Sequence, residues 1–432
     1  MKLLKKLFKK NYLFCLLILF QLGLSLFWAW VLPFNQSPDE CLHFKTAEFF
    51  FLHRRLPVAR QEEITFIKEP DCLGTTYITT PFLNYILAAL SIPIGNNLGI
   101  ERPYLAARMS SVLFGILFTI FFYKFLKEIF GSRNLLIFST LFVTIMIPQV
   151  MFTFSSLNIE SYSLAASAFL LFSSVHFFKL PKKKLNKLKS YLLLGFAISF
   201  QLFAKYNFYL LLLVPILLLL VKIIKEKIFP IKNLLLLLGL VISLSGWFFV
   251  RNQILYQDFL GLRTYREITR EKMIGRSYAQ AGWNFYDILF KSPWLLETAS
   301  SFYGRFGYMN ITIDPVMQWI FRFFVFLGLV GLIKRLIEFK KISVLTRGGG
   351  LYLLFLGLIP FNIMISLWNS LYFDFQNQGR YLFPILIPLM VLVNKGVFAL
   401  AGDKKSKLSL AIGIIIGSIL LNFWSFLYLP KI

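Results

Sequence analysis

The sequence of 432 residues contains little charge, and acidic charge above all is scarce. Charged residues make up 15% of the chain and hydrophobic residues 57%, with 46 Lys and Arg against 20 Asp and Glu. A soluble domain is therefore excluded, because it would have more apolar surface than it could bury. The sequence also has no nucleotide-binding glycine-rich loop, no internal repeat and no soluble cytoplasmic domain. The glycines at 348–350 mark only a turn before a helix.

Long apolar runs fill the sequence instead. Runs of about 18 or more apolar residues are typical of helices that cross a membrane, whereas membrane β-barrels alternate apolar and polar residues over segments of about ten. We predict an all-α polytopic membrane protein with about 11 transmembrane helices, in a range of about 10 to 13. The first is a retained helix and not a signal peptide, because its run is too long and no small-residue cleavage site follows. The predicted spans are 11–33, 104–123, 134–150, 159–178, 190–204, 206–221, 233–250, 315–333, 350–368, 381–394 and 408–428.

Lysine and arginine are concentrated on one side of these spans. With the N-terminus in the cytoplasm, the cytoplasmic segments hold 27 of the 46 basic residues and 4 of the 20 acidic ones. The positive-inside rule then fits every loop, which predicts a multipass protein of the cell (plasma) membrane. The net charge of +26 therefore indicates topology and attraction to the lipid bilayer, and it predicts no nucleic-acid partner. The cytoplasmic segments are 1–10, 124–133, 179–189, 222–232, 334–347 and 395–407.

The polar chemistry of the chain is predicted to lie outside the cell. We expect a single transmembrane domain, 1–432, with two long external loops and one short polar loop. These loops are 34–103, 251–314 and 369–380. Within the first loop, segment 78–94 is apolar but contains Pro81 and Pro93, and a span there would invert every later loop. It is predicted to be a helix at the outer interface.

Cysteine is scarce as well, with three residues in the chain. Cys15 falls in the first span, while Cys41 and Cys72 both fall outside, where a disulfide is permitted. Cysteine is also a common small apolar residue, so both interpretations of this pair stay open.

The stretch PFNQSPDECLHF, 33–44, places two carboxylates and an imidazole directly after the first span. If a helix begins at Pro38, with Ser37 as its N-cap, Asp39 and Glu40 lie in its first turn, where the helix dipole favours negative charge. His43 then shares a face with either carboxylate. The structural interpretation is helix-start chemistry at the interface. The functional one is a general base or a metal site, although the spacing matches no strong zinc pattern.

Two further polar positions lie at the outer ends of spans. Glu160 follows Asn158 in the short loop before the fourth span, where it is either an N-cap partner or a functional carboxylate. Arg251, followed by Asn252, ends the seventh span beside Trp247. It is either a snorkelling anchor or a ligand for a lipid phosphate, which suits a guanidinium fork.

Two segments of the later chain complete the set. SFYGRFGYMN, 301–310, is rich in aromatic residues and glycine, which fits an interfacial aromatic belt or a groove for sugar rings. DFQNQGRYLFP, 374–384, is unusually polar for a link between apolar helices. We predict a phosphate or sugar site there, formed by Arg380, Tyr381 and Gln378. The alternative is a solvated loop with a snorkelling arginine.

These segments resemble a known family. SPDECLHF after the first span, then TTPFLNYILAAL and YLAARMSSVLFGI, resembles the start of the glycosyltransferase C-fold superfamily of multipass enzymes that use polyprenyl-phosphate sugars. A bacterial branch of multipass membrane proteins with a domain of unknown function is more similar still. It shares four segments in the same order: 38–44, 251–261, 301–310 and 378–384.

The resemblance implies an acidic residue in the first external loop that activates the acceptor or binds a metal, which corresponds to Asp39 with Glu40 adjacent. It implies a second acidic position at Glu160, where relatives more often read N-P-D. No cofactor is certain, and a divalent metal held by Asp39, Glu40 and His43 is left open.

The predicted function is glycosyl transfer from a polyprenyl-phosphate sugar to an extracytoplasmic acceptor, with inversion. ATP and nucleotide sugars are cytoplasmic, so an activated donor outside must be carried on a lipid. The predicted catalytic residues are Asp39, Glu40, His43 and Glu160, and the predicted phosphate or substrate ligands are Arg251, Asn252, Arg380, Tyr381 and Gln378. A lipid-linked sugar flippase or a non-catalytic envelope-assembly protein is the alternative.

Overall fold

The computed structural model describes residues 12–185, 187–227, 230–272, 277–338 and 349–428. Almost all of its regular structure is helical. The α-helices are α1 Tyr12–Val31, α2 Glu40–His53, α3 Leu83–Asn97, α4 Pro103–Phe130, α5 Asn134–Ile145, α6 Pro148–Ser155, α7 Ile159–Lys179, α8 Leu188–Leu202, α9 Leu213–Glu226, α10 Ile231–Val241, α11 Trp247–Tyr256, α12 Leu262–Lys272, α13 Phe285–Phe290, α14 Trp294–Tyr303, α15 Pro315–Glu338, α16 Gly349–Tyr372, α17 Leu386–Leu400 and α18 Lys404–Phe426.

Short elements complete the chain. The 3-10 helices are Glu63–Thr65, Lys182–Lys184, Tyr206–Leu212 and Gly379–Ile385, and Ile242–Gly246 forms a π-helical turn between α10 and α11. Two antiparallel two-stranded sheets are present in the described residues, and their strands are β1 Phe66–Glu69, β2 Cys72–Thr75, β3 Arg305–Phe306 and β4 Ile311–Thr312. In the first sheet Phe66 pairs with Thr75, and in the second Arg305 pairs with Thr312.

The prediction of an all-α polytopic membrane protein is confirmed. In the described part of the chain, nine helices are long and apolar enough to cross a membrane. A tenth span is formed if α5 and α6, which meet at an angle of 64°, count as one. The predicted span 190–204 corresponds to α8, a shorter apolar helix of 15 residues. The predicted interfacial helix at 78–94 corresponds to α3, which is not a candidate span.

The break between α5 and α6 has a local cause. Pro148 has no N–H to continue the helix, and it disfavours helical geometry at the residue before it. The Met146 carbonyl at this bend accepts a hydrogen bond of 3.1 Å from the Asn422 side chain, which is fully buried on α18. A backbone group that the bend leaves open is thereby satisfied within the protein, as an apolar environment requires.

The chain forms two compact units, and whether it acts as a single transmembrane domain stays a prediction. Unit 1 contains Met1–Val31, Phe122–Phe152 and Arg276–Ile432, and unit 2 contains Leu32–Phe121 and Thr153–Gly275. The start of the predicted first external loop, the loop before α7 and the end of α11 all belong to unit 2. Segments 301–310 and 374–384 belong to unit 1.

In unit 2, α4 and the end of α6 pack closely. A Cβ added to Gly115 would lie 2.8 Å from the ring of Phe154, so this glycine makes room for the aromatic side chain. Phe114 meets Tyr162 of α7 edge to face at 5.0 Å. This packing places the loop 156–158 beside the N-terminal half of α4, where the candidate site is built.

Cys41 and Cys72 form a disulfide, which settles the question that their positions left open. The bond joins the first turn of α2 to β2, across a sequence separation of 31 residues. Both cysteines are buried in a small cluster with Leu42 and Ile67. The disulfide and this cluster together hold the loop that follows α2 against this helix.

We expect loss of this disulfide to lower the melting temperature of the purified protein. In the chain-entropy account, closing a loop of this length contributes about 3–4 kcal/mol. Cys72→Ala should therefore unfold at clearly lower temperature, whereas Cys15→Ala, which changes an exposed free thiol, should not. Peptide mass mapping with and without reductant checks the bond itself. Identical melting temperatures for the two variants would contradict the role assigned to it.

Candidate functional site

The carboxylates that follow the first span sit at an unusual helix start. Helix α2 begins at Glu40, with Asp39 preceding it in a left-handed conformation at φ 65°. The prediction that the helix starts at Pro38 with Ser37 as its N-cap is wrong, because the left-handed Asp39 is itself the N-cap and residues 37–40 form a separate turn. The Ser37 hydroxyl instead pairs with that of Ser156 at 3.0 Å. Positive φ in a residue other than glycine is uncommon and costs conformational energy, so the surroundings must hold Asp39 in place.

Glu40 supplies that constraint through a buried ion pair with Arg108 of α4. The Arg108 Nε and Nη2 atoms donate to the two Glu40 carboxylate oxygens, each at 2.7 Å. Both side chains are about 1% exposed. This fork-to-fork geometry is the strongest arrangement that arginine makes with a carboxylate.

The remaining polar atoms of the pair are also satisfied. Arg108 donates to the backbone carbonyls of Leu32 and Pro33 at 2.6 and 2.9 Å. Glu40 accepts from the backbone N–H groups of Asn35 and Leu157 at 3.1 and 3.0 Å. A buried ion pair is tolerated only when such bonds offset its desolvation. The pair thus ties together the end of the first span, the start of α2, α4 and the loop before α7.

Asp39, by contrast, stays partly exposed. The Tyr77 hydroxyl donates to its carboxylate at 3.1 Å. The Tyr77 ring stacks on His43 at 4.2 Å and on Tyr265 of α12 at 5.7 Å. His43 is buried, and its Nδ1 shares a 2.8 Å hydrogen bond with the Tyr85 hydroxyl. A column of aromatic rings therefore runs beside the Asp39 carboxylate.

Glu160 reaches the same neighbourhood from α7. Asn158 caps this helix by accepting from the Ser161 N–H at 2.9 Å, so the N-cap interpretation of this loop is correct for Asn158. Glu160 itself is buried and forms a 2.7 Å ion pair with Lys205. Burial raises the pKa of the Tyr85 phenol well above its ordinary value, and the nearby charges of Glu160 and Asp39 contribute to the rise. Both carboxylates thus act on one phenol that stays protonated at neutral pH.

The segment 251–261 joins α11 to the loop between α2 and α3. Arg251 donates to the Pro57 carbonyl at 2.6 Å and remains partly exposed. Asn252 is fully buried and donates to the Thr79 carbonyl at 3.1 Å. Gly261, at φ 69°, lies so close that a Cβ there would be 2.2 Å from the Thr79 oxygen. This geometry favours a structural role for Asn252, and its predicted contact with a lipid phosphate stays a prediction.

Segments 301–310 and 374–384 meet inside unit 1. The Gly379 N–H donates to the Ser301 hydroxyl at 2.7 Å, and a Cβ at Gly379 would lie 2.0 Å from the backbone nitrogen of Phe302. Asn377 donates to a Glu297 carboxylate oxygen at 2.9 Å, and Arg305 lies 3.4 Å from the other oxygen. These contacts gather polar groups around the backbone of the second segment.

The predicted ligands of that segment differ in exposure and contacts. The Arg380 guanidinium lies over the Tyr381 ring at 5.5 Å, and both residues are partly exposed. The Tyr381 carbonyl accepts from Asn362 of α16 at 3.2 Å. The Oε1 atom of Gln378 is buried and has no hydrogen-bond partner among the described residues. Phosphate or substrate binding by these three residues stays a prediction.

The metal alternative would be favoured by several His, Cys, Asp or Glu ligands gathered around one point. Among the residues that the structure describes, Asp39, Glu40 and His43 do not form such a group, and no other set does. The Glu40 carboxylate already forms an ion pair with Arg108, and His43 is hydrogen-bonded to Tyr85. Two of the three predicted ligands are therefore engaged with protein partners in this geometry.

Sequence reasoning missed the residues that hold the carboxylates. Arg108 lies inside an apolar span and Lys205 follows another, and an intramembrane cation is itself a signal that a partner exists. The carboxylate partner of each cation could not be predicted from the sequence. Arg108 is 68 residues from Glu40 along the chain, and Lys205 is 45 residues from Glu160. No sequence pattern marked Tyr77 as a residue of the site.

We expect Arg108→Met to be severely destabilising, because it leaves the Glu40 carboxylate buried without its partner. Breaking one side of a buried pair costs about 3–5 kcal/mol. The double variant Glu40→Gln/Arg108→Met should recover a good part of the loss in melting temperature. Arg102→Gln, an exposed position on the approach to α4, is the matched control and should change little. An Arg108→Met protein that melts like the control would contradict the role of the pair.

Comparisons with known proteins place this geometry in a wider context. The chain is similar in structure to ArnT from Cupriavidus metallidurans, whose crystal structure contains bound undecaprenyl phosphate, with a TM-score of 0.54 and 13% sequence identity. The match covers 94% of this chain and 63% of ArnT, so the chain spans less than two thirds of that protein. The similarity confirms the predicted glycosyltransferase C-like fold. No curated protein matches the sequence.

A family model for predicted membrane proteins, DUF2142, matches residues 73–390. The match includes Arg108, Glu160, the segment 251–261 and both segments of unit 1, while Asp39 and Glu40 precede it. Since it covers most of the sequence, it also confirms the predicted relation to multipass proteins with a domain of unknown function. The chain belongs to the DUF2142 family of predicted membrane proteins.

Proposed function

We propose that this protein is a membrane glycosyltransferase that moves a sugar from a polyprenyl-phosphate donor to an extracytoplasmic acceptor, a cell-envelope glycan, lipid or protein. The observation that carries the proposal is Asp39: a partly exposed carboxylate in a strained conformation, fixed beside a fully paired Glu40 at the start of the first external loop. The fold it shares with ArnT, which was crystallised with undecaprenyl phosphate, supports a lipid-phosphate donor.

In the proposed reaction Asp39 acts as general base. An acceptor hydroxyl attacks the anomeric carbon of the donor, and its proton passes to the Asp39 carboxylate. The bond between that carbon and the phosphate oxygen breaks, and the polyprenyl phosphate leaves with the electron pair. Direct displacement from the opposite face inverts the anomeric centre, and the carbon passes through a state with oxocarbenium character.

The neighbouring residues take different parts. Glu40 holds the start of α2 through Arg108 and leaves Asp39 as the reactive carboxylate, which revises the sequence-based assignment of both as catalytic. Tyr77 orients the Asp39 carboxylate through its hydrogen bond. The partly exposed ring of Tyr265 continues the aromatic column and offers a stacking face for a sugar. His43 positions the Tyr85 phenol through the hydrogen bond between them. The ion pair of Glu160 and Lys205 supplies further charges near the same phenol.

The leaving phosphate needs a cation. Arg251 is partly exposed in unit 2 and holds one backbone carbonyl, so its guanidinium is oriented while retaining donors for a phosphate. Arg380, which is partly exposed in unit 1, stays a separate predicted phosphate ligand. A fixed guanidinium stabilises the charge that develops on the leaving group, and loss of such a group typically costs about 100- to 1,000-fold in turnover.

The proposal is tested with purified protein in nanodiscs and a panel of radiolabelled polyprenyl-phosphate sugars. Asp39→Asn should lower transfer, or the slow hydrolysis of donor without acceptor, by about 100- to 10,000-fold, because it removes the base but keeps its size. Asp71→Asn, an exposed aspartate of the same loop, is the matched control and should keep wild-type turnover.

Two outcomes would contradict the proposal. Equal turnover in the wild-type protein and in Asp39→Asn would remove Asp39 from the reaction. Movement of an intact lipid-linked sugar across vesicles, with no acceptor present and no sugar released, would favour a flippase. Melting temperatures measured on the same samples separate loss of chemistry from loss of fold.

A further inference from the structure

Three cations that the proposed reaction does not use lie together in unit 1. Arg133 directly precedes α5, Arg335 lies in the last turn of α15, and Lys395 lies in α17. The charge count predicts this end of all three helices to be cytoplasmic. It is therefore the end opposite to the predicted external loops.

Close packing of helix backbones forces two of these cations together. A Cβ added to Gly331 of α15 would lie 1.9 Å from the carbonyl oxygen of Gly396 on α17, so the two backbones are in contact. Arg335 follows Gly331 by about one helical turn, and Lys395 immediately precedes Gly396. The backbone positions of Arg335 and Lys395 are therefore held near each other by the contact between the two helices.

The third cation, Arg133, lies at the start of α5, and a hydrogen bond joins this helix to α17. The side chain of Asn394, which is fully buried, donates to the Thr140 hydroxyl at 2.8 Å. This bond fixes α5, and with it Arg133 at its start, against the part of α17 that carries Lys395. The Arg133 side chain is exposed, and that of Lys395 is partly buried.

The charges in this cluster act on one another. Both guanidinium groups are near enough to influence the Lys395 ammonium and the Tyr352 hydroxyl of α16 electrostatically. The Lys395 Nζ atom lies 3.0 Å from the centroid of the Tyr352 ring, whose negative face offsets only part of one charge. Among the side chains that the structure describes, none of the three cations forms an ion pair. Like charges held this closely raise the free energy of the folded protein.

We propose that Arg133, Arg335 and Lys395 bind the phosphate of an anionic phospholipid from the cytoplasmic leaflet. The phosphate supplies the missing negative charge, and the two guanidinium groups offer it forked hydrogen bonds. A lipid suits the position better than a soluble anion, because the cluster lies at the ends of membrane-spanning helices, where basic pockets meet lipid head groups. The inference is independent of the proposed reaction.

The test compares melting temperatures of the full chain in nanodiscs of phosphatidylcholine alone and of phosphatidylcholine with phosphatidylglycerol. The wild-type protein should be stabilised by the anionic lipid. The double variant Arg335→Gln/Lys395→Gln should melt higher than wild type in phosphatidylcholine, because the repulsion is relieved, and should gain nothing from phosphatidylglycerol. Titration with phosphatidylglycerol in detergent should show binding that is about tenfold weaker in the double variant.

A charge-matched control separates a site from general attraction. Lys404→Gln/Lys405→Gln removes two exposed charges from the same predicted side and should leave both readouts within about twofold of wild type, since exposed charges are screened. Equal losses in the two double variants would overturn the proposal, as would a double variant at 335 and 395 that melts lower than wild type in phosphatidylcholine. Stabilisation by inorganic phosphate, with no preference for phosphatidylglycerol, would overturn the lipid assignment.

Discussion

The buried ion pair between Glu40 and Arg108 is the constraint on which the rest of the candidate site depends. An arginine inside a membrane-spanning helix has to find a carboxylate and backbone carbonyls, since an unpaired charge there is very costly. Meeting that demand brings four separate stretches of unit 2 together. One of them is the start of α2, where the residue next to the anchored Glu40 is turned into a left-handed conformation. The position of Asp39 is thus a consequence of how Arg108 is neutralised.

The adjacent carboxylates of Asp39 and Glu40 therefore have different environments. The Glu40 carboxylate is fully engaged in a structural ion pair with Arg108. Asp39, by contrast, has a partly exposed carboxylate with a tyrosine hydroxyl beside it. Glu160 is a third carboxylate with its own cation, Lys205, and its charge is felt by the same buried Tyr85 as that of Asp39. The proposed reaction assigns the fixed charges to holding the geometry and the Asp39 carboxylate to the acceptor hydroxyl.

Much of the helical fold could be predicted from the sequence, because membrane spans depend on local properties. Apolar run length defined the long helices, while the topology derived from the distribution of lysine and arginine stays a prediction. The site was only partly predictable, because its contacts join residues far apart in sequence. Asp39 and Glu160 stood out as carboxylates beside apolar segments, but nothing local paired Glu40 with Arg108 or showed that Asn252 would be buried against Thr79. The start of α2 was misplaced because the left-handed turn at Asp39 depends on such distant contacts.

The most direct test of the account is a structure of the protein with a non-cleavable polyprenyl-phosphonate sugar, measured for the distance between the Asp39 carboxylate and the anomeric carbon. A base must reach the acceptor hydroxyl within hydrogen-bond distance, and that hydroxyl must approach the carbon to about 3–3.5 Å. The account therefore predicts a carboxylate oxygen about 5–6 Å from the anomeric carbon, on the side opposite the phosphonate. A sugar bound out of reach of Asp39, or with its phosphonate facing that carboxylate, would contradict it.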